Sequence, residues 1–152
     1  MDKEKLLRLL NARNVEYVII GAAAFPIHGY ARATLDIDLF IRPAPDNARN
    51  TLFALTEFGY DTHDISEEDL LTKKVLIRQY SLETDIHPFA KGVTFEGVWA
   101  RRVAGDVNGV PVAFASIDDL IAMKRAAGRI KDLEDLRILE RIKELKGRGE
   151  VP

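Results

Sequence analysis

Two aspartates interrupt an otherwise apolar segment of the chain, and their spacing suits metal chemistry. Asp36 and Asp38 are two residues apart, which is the side-chain period of a β-strand, so both carboxylates leave one face of that strand. Each carboxylate disfavours ionisation of the other unless a cation lies between them. Carboxylate oxygens, together with water and phosphate oxygens, are the ligands that Mg²⁺ prefers. The pair therefore predicts a site for Mg²⁺, with Mn²⁺ as the alternative ion.

A second set of ionisable side chains lies in the latter half of a strand-like stretch. Glu83, Asp85 and His87 alternate with uncharged residues, so an unbulged strand places all three on one face. If this strand neighbours the first, Asp36, Asp38 and Asp85 form a three-carboxylate metal cluster, with Glu83 replacing Asp85 if the register slips. The alternative is that these carboxylates lie on the solvent face of a half-exposed sheet. His87 is interpreted as a hydrogen-bonded structural residue on the Asp85 face.

Composition limits the classes of protein to consider. The 152 residues have the size of one domain, so a single domain is expected over residues 1–152. The 22 Lys and Arg residues against 24 Asp and Glu residues permit a local basic patch and argue against a surface built wholly for nucleic acid. The chain lacks cysteine, and its charged start and short apolar runs predict neither a secretory signal nor a membrane-spanning helix. A cytoplasmic location is expected.

The apolar pattern predicts the elements that hold these side chains. Val15–Ile20 is a β-branched run that predicts a buried strand ending at Gly21. The segment Ala22–Tyr30 contains a proline, which favours a short or bent helix. Asn108-Gly109 lies between two β-branched segments and predicts a hairpin turn. Ser116 resembles a helix N-cap, and the C-terminal helices are expected from about this residue.

Several motifs taken together resemble those of the nucleotidyltransferase superfamily, which includes DNA polymerase beta and the small minimal nucleotidyltransferases. These motifs are the run Tyr17–Ala24, the pair His28-Gly29, Arg32, Thr34 and the segment Asp36–Leu39. The C-terminal run Ser116–Leu136 is similar to the closing helices of those proteins. The pattern resembles in particular the abortive-infection type, many of which belong to toxin–antitoxin pairs. The resemblance implies an α/β (α+β) nucleotidyltransferase fold, a mixed β-sheet flanked by helices.

The resemblance also implies an activity. A nucleoside triphosphate is expected beside Gly21, with transfer of a nucleoside monophosphate to a hydroxyl acceptor and release of pyrophosphate. The acceptor is a protein hydroxyl, an RNA 3′ end or a small molecule, and a toxin–antitoxin pair implies a cognate partner protein. Asp36, Asp38 and Asp85 are the implied catalytic and metal-binding residues, because ions held there clamp the attacking and leaving oxygens of an in-line displacement.

Five residues are implied to bind the nucleotide. A glycine directly after a buried strand lets phosphate approach the backbone, and N–H groups at the start of the next helix contact its oxygens. Arginine adds a fork of donors, and a lysine on the closing helices reaches across the cleft. The nucleotide-binding residues are Gly21, Ala22, Arg32, Thr34 and Lys124. Asp132 and Asp135, in the same closing helices, are interpreted as structural partners of residues near them in the helix.

Ala22 departs from the superfamily pattern, which commonly has Gly-Ser or Gly-Gly at Gly21-Ala22. A side-chain hydroxyl that binds phosphate is therefore missing, and backbone donors remain. This difference supports an alternative, in which the chain is a catalytically weak nucleotide-sensing or protein-binding subunit. A third interpretation is phosphodiester hydrolysis by the same carboxylates, since two-metal sites also serve nucleases.

Overall fold

Helices and strands alternate irregularly along the chain. The computed structural model describes residues 2–150. Its α-helices are α1 (Lys3–Ala12), α2 (Pro45–Phe58), α3 (Glu67–Thr72), α4 (Phe95–Ala100), α5 (Ile117–Ala127) and α6 (Leu133–Gly147). Its strands are β1 (Tyr17–Ile20), β2 (Asp36–Ile41), β3 (Val75–Ile77), β4 (Glu83–His87), β5 (Val103–Val107) and β6 (Val110–Phe114). Three short 3₁₀ helices cover Gly21–Ala24, Pro26–His28 and Ile130–Asp132.

The strands form one mixed sheet in the order β3-β4-β2-β1-β6-β5. The β2–β4 and β1–β6 pairs are parallel, whereas the β1–β2, β3–β4 and β5–β6 pairs are antiparallel. Sequence neighbours β2 and β3 are therefore separated by β4. The predicted mixed sheet with flanking helices is confirmed, and the two strands that carry the carboxylates are neighbours in it.

One face of the sheet is apolar and packs beneath the helices. Ile37 and Leu39 alternate with the aspartates of β2 and are almost completely buried. Leu6, Leu7 and Leu10 of α1 belong to the same core cluster. Because burial of one such side chain contributes about 1.5–3 kcal/mol, this packing fixes which face of β2 turns inward. The alternating aspartates consequently lie on the opposite face.

Turn geometry agrees with the sequence patterns. Asn108 and Gly109 both have positive φ, at 48° and 88°, which is the conformation of a tight hairpin between β5 and β6. Pro26 begins the second 3₁₀ helix, where its missing N–H removes no helical hydrogen bond. Ser116 caps α5, accepting a hydrogen bond from the backbone N–H of Asp119. The hairpin and the start of the C-terminal helices agree with the prediction, and the predicted short or bent helix is a pair of short 3₁₀ helices.

Across residues 2–150, each helix is too short or too polar to cross a lipid bilayer.

Candidate active site

The carboxylates of β2 and β4 lie side by side because of the strand register. Asp38 is opposite Asp85 and Asp36 is opposite Glu83 in the parallel pair. Partners in register point to the same face of a sheet, so all four carboxylates share one face. Asp85 is buried apart from 13% of its side chain. The residue chosen from the sequence as the third carboxylate therefore faces Asp38, and Glu83 faces Asp36.

Three of the side chains on this face are close enough to share an ion. One ligand atom from each of Asp38, Asp85 and His87 lies within 4.8 Å of the other two. The group does not include Asp36, which lies two residues before Asp38, at the start of β2. Two carboxylate oxygens and one imidazole nitrogen suit a divalent cation, and the oxygens favour Mg²⁺ or Mn²⁺. The group keeps Asp38 and Asp85 of the predicted three-carboxylate cluster and has His87 in the place of Asp36, and its donors fit a divalent cation.

His87 has a defined partner on this face. Its Nε2 is 2.9 Å from Oδ1 of Asp38, and its side chain is mostly buried. A hydrogen bond of this kind orients the carboxylate and supplies partial positive charge beside it. The interpretation of His87 as a hydrogen-bonded residue is confirmed, and its partner is Asp38.

Two cations that flank the edge strand β3 face Asp85. Nη1 of Arg78 is 2.6 Å from one oxygen of Asp85, and Nζ of Lys74 is 3.9 Å from the other. Both cations lie at or beside β3 and partly neutralise the acidic face. Neither residue was predicted from the sequence. Their signal was present as two basic residues at strand spacing from Leu76, although only the β3–β4 pairing shows which carboxylate they face.

Repulsion between carboxylates remains at the start of the two strands. The pKa of Glu83 is raised because Asp36 hydrogen-bonds to it and places a second negative charge beside it. Each negative charge disfavours ionisation of the other carboxyl group. The raised pKa of Glu83 therefore reflects like-charge repulsion with Asp36, its partner across the strand pair.

Gly21 brings the backbone against the carboxylates. It follows β1, whose last residue Ile20 is opposite Asp38, and it has a φ of +69°. A Cβ placed on Gly21 would lie 2.7 Å from Oδ2 of Asp38, so the Asp38 carboxylate or the backbone would have to shift to admit one. Gly21 and Ala22 then begin the first 3₁₀ helix. The predicted phosphate-side residues therefore border the carboxylate group.

A cavity of about 230 Å³ adjoins the start of β2. Arg32, Thr34 and Asp36 line it together with Lys3 from the first turn of α1. Oγ1 of Thr34 accepts a hydrogen bond of 3.0 Å from the backbone N–H of Asp36, which shapes the entry into the strand. The structure therefore brings Arg32 and Thr34 together beside Asp36. Lys3 also lines this cavity. It was not predicted from the sequence, because α1 is distant from β2 in the chain.

The closing helices hold two buried carboxylates. Each contacts a residue that the sequence predicts to bind the nucleotide. Asp135 forms an ion pair with Arg32, and Asp132 accepts a 2.9 Å hydrogen bond from Nζ of Lys124. Lys124 is also 3.6 Å from Asp135. Arg129 pairs with Asp132 at 2.6 Å. The prediction that Asp135 pairs with residues near it in the last helix is therefore wrong. Its cationic partners come from the loop before β2 and from α5.

The aromatic side chains of the same loop complete this cluster. The hydroxyl of Tyr30 donates a 2.9 Å hydrogen bond to Asp135. Tyr30 stacks on Phe25, with 5.1 Å between ring centroids. Arg32 and Lys124 both lie over the Phe25 ring. The cations are therefore oriented by carboxylates on one side and an aromatic face on the other.

The buried carboxylates make stability depend on acidic pH. Burial by itself raises the pKa of Asp132, but hydrogen bonds and charge from Arg129 and Lys124 outweigh it and hold the pKa below its ordinary value. A depressed native pKa stabilises the fold fully above the unfolded value and loses this contribution as the pH falls through the native value. Asp132→Asn is expected to lower the free energy of unfolding by about 2 kcal/mol at neutral pH, the worth of a charge-assisted hydrogen bond.

Urea unfolding, measured at neutral pH and at several acidic pH values below the ordinary pKa of an aspartate, tests this expectation. The difference between wild type and Asp132→Asn should shrink as the pH falls. Asp118→Asn is the matched control, because Asp118 is exposed and pairs with Lys143 at the surface. Its expected effect is below about 1 kcal/mol at every pH. A constant difference for Asp132→Asn across the acid range would contradict the assignment.

The fold and the carboxylate face together define the class of protein. A mixed sheet that places paired aspartates beside a glycine after β1 is the arrangement expected of a nucleotidyltransferase. The chain belongs to the family described as "Nucleotidyltransferase of unknown function (DUF6036)", which it matches over residues 2–146. The resemblance to nucleotidyltransferases is confirmed. No curated protein matches the sequence.

Proposed function

We propose that this chain is a metal-dependent enzyme that transfers a nucleoside monophosphate from a nucleoside triphosphate to a hydroxyl acceptor. The observation that carries the proposal is the register of β2 and β4, which sets Asp38 against Asp85, with Gly21 in contact with Asp38. Family membership supports the reaction class. The abortive-infection resemblance extends the proposal to a toxin–antitoxin pair with a cognate partner protein.

The proposed cofactor is Mg²⁺, with Mn²⁺ as the alternative. Asp38 and Asp85 would hold it, Asp36 supplies a further carboxylate on the same face, and His87 keeps Asp38 oriented. When bound, such an ion neutralises phosphate charge and activates the attacking oxygen. Imidazole is a better ligand for Mn²⁺ than for Mg²⁺, so direct ligation by His87 would favour Mn²⁺.

The proposed reaction is a single in-line displacement. The acceptor hydroxyl oxygen forms a bond to the α-phosphorus as the bond from that phosphorus to the bridging oxygen breaks. Pyrophosphate leaves with the bonding electron pair, and a carboxylate oxygen of Asp85 takes the hydroxyl proton. Arg78 and Lys74 lie at this carboxylate and partly neutralise its charge.

The triphosphate is proposed to lie on the β1 side of this face. The backbone N–H groups of Gly21 and Ala22 provide donors, and Thr34 and Arg32 border the adjoining cavity. Arg32 and Lys124 exchange part of their contact with Asp135 for phosphate oxygens in this proposal. Cations already oriented by carboxylates lose less side-chain entropy when they bind a phosphate.

Incubation of the protein with labelled nucleoside triphosphates, Mg²⁺ or Mn²⁺ and candidate acceptors tests the proposal. We expect release of pyrophosphate together with a labelled acceptor, and loss of both for Asp38→Asn. Asp64→Asn is the matched control, because Asp64 is exposed and far from β2 in the chain. Label released as free monophosphate in water alone would indicate hydrolysis and reject nucleotidyl transfer.

One observation favours a second candidate function. Ala22 offers no hydroxyl, and the predicted phosphate cations Arg32 and Lys124 are both engaged by buried carboxylates. A site of this kind suits a subunit that binds nucleotide and signals to a partner protein without turnover. Triphosphate binding measured by calorimetry, with no pyrophosphate released in the presence of any acceptor, would support the sensing subunit and reject the enzyme.

A further inference from the structure

The edge strand β3 carries a basic and apolar stripe beside the carboxylates. Leu76 is opposite Asp85 in the β3–β4 pair, so it points to the same face. Lys74 and Arg78 lie two residues to either side of it. The side chains are 49% exposed for Lys74 and 42% for Arg78, and Leu76 is 54% exposed. The stripe is therefore accessible from the open edge of the sheet.

The order of the strands places this stripe on the side of Asp85 that is opposite the proposed triphosphate. Gly21 follows β1, Asp38 lies on β2, Asp85 lies on β4, and β3 comes last. The proposed triphosphate occupies the β1 side. A hydroxyl that gives its proton to Asp85 must then approach from the opposite side, across β3. Lys74, Leu76 and Arg78 are the side chains that an acceptor meets there.

We infer that β3 binds the acceptor and that the acceptor is the 3′ end of a single-stranded nucleic acid. This inference rests on the proposed nucleotidyl transfer. Lys74 and Arg78 contact backbone phosphates, and Leu76 packs against the terminal sugar or base. The terminal 3′ hydroxyl is then the group that faces Asp85.

The chemistry of the stripe favours this acceptor over a protein hydroxyl. Cations that follow the phosphate backbone hold a single strand without sequence preference, and at this stripe Leu76 adds an apolar contact between the two cations. The Cα atoms of Lys74 and Arg78 are about 13 Å apart at 3.3 Å per residue, so outward rotation of the side chains lets them reach different phosphates. The formal charge of −2 requires such binding to be local, as this stripe is.

The competing explanation is that Lys74 and Arg78 serve only as counter-ions of Asp85. Measuring RNA binding in the absence of metal distinguishes this explanation from acceptor binding. Fluorescence anisotropy of a short labelled single-stranded RNA is measured with EDTA present and triphosphate absent, over a series of salt concentrations. The K74Q/R78Q variant is expected to bind about tenfold more weakly at low salt. Its slope of log affinity against log salt should fall by about 1.4, since each lost phosphate contact on a single strand contributes about 0.7.

R137Q/R141Q is the matched control, because it removes two exposed arginines from α6, outside the sheet. It should bind the RNA as wild type does, and K74R/R78K should retain the salt slope. Equal weakening by R137Q/R141Q and K74Q/R78Q, or no weakening by K74Q/R78Q, would overturn the inference. Displacement of the RNA by a mononucleotide at equal phosphate concentration would also overturn it, because one phosphate then suffices.

The two proposals fail separately in this design. Asp38→Asn is expected to lose pyrophosphate release and to keep RNA binding in EDTA, because Asp38 does not belong to β3. Transfer to a protein hydroxyl with no RNA binding by the wild type would overturn the acceptor inference and leave nucleotidyl transfer intact. RNA binding that depends on β3, without any pyrophosphate release, would reject the proposed activity alone.

Discussion

Asp85→Asn is expected to reduce nucleotidyl transfer by about 10³-fold or more, since it removes a carboxylate proposed both to hold the metal and to take the hydroxyl proton. Asparagine keeps the shape of the side chain, so the sheet should persist. The variant also leaves Arg78 without its 2.6 Å partner, but Arg78 is partly exposed and can be solvated. Pyrophosphate release and thermal unfolding, measured on the same preparations, check both expectations.

Glu83→Gln is the informative comparison for Asp85→Asn. Both residues belong to β4 and point to the same face, but Glu83 faces Asp36 and lies outside the group formed by Asp38, Asp85 and His87. Glu83→Gln removes like-charge repulsion at Asp36, so we expect transfer to change only a few-fold, far less than for Asp85→Asn. A larger loss for Glu83→Gln than for Asp85→Asn would show that Glu83 is the third carboxylate of the reaction.

Gly21→Ala is expected to lower transfer by about 100-fold and also to destabilise the fold. The new Cβ would lie 2.7 Å from Oδ2 of Asp38, so the carboxylate or the backbone must shift, and a displacement of about 1 Å in a catalytic group has an effect of this size. The φ of +69° adds strain of about 1 kcal/mol for any residue with a Cβ. Transfer rate and urea unfolding are the measurements.

Gly109→Ala separates backbone strain from the collision at Asp38. Gly109 has a similar positive φ, +88°, but a Cβ there would have no neighbouring atom within 4 Å. It lies in the β5–β6 turn at the other edge of the sheet. We expect Gly109→Ala to lose about 1 kcal/mol of stability and to keep its transfer activity. Equal loss of transfer in both glycine variants would attribute the Gly21→Ala defect to destabilisation.

Local patterns predicted the elements that depend on near neighbours in the chain. The two-residue period of Asp36 and Asp38 predicted one strand with carboxylates on one face, and the buried residues between them agree. Asn108-Gly109 predicted its hairpin because the positive φ values of the turn are a property of those two residues. The position of Gly21 after a β-branched run predicted that another group lies close to its backbone. In the structure this group is the side chain of Asp38.

The contacts of the closing helices were not predictable in the same way. Asp135 was expected to pair with residues near it in the helix, yet its cations are Arg32, 103 positions earlier in the sequence, and Lys124 on α5. A carboxylate on an isolated helix meets only residues three or four positions away. Packing of the helix against the loop before β2 buries the carboxylate and brings distant cations within reach.

The sequence by itself determined which side chains share a face and which residues permit tight turns, because strand period and allowed backbone angles are properties of a few consecutive residues. Only the tertiary structure decided that Asp85, and not Glu83, is opposite Asp38, and that β3 places Lys74 and Arg78 beside Asp85. Those outcomes depend on strand order and register. Both are selected by burial of the whole apolar face and carry no local signal.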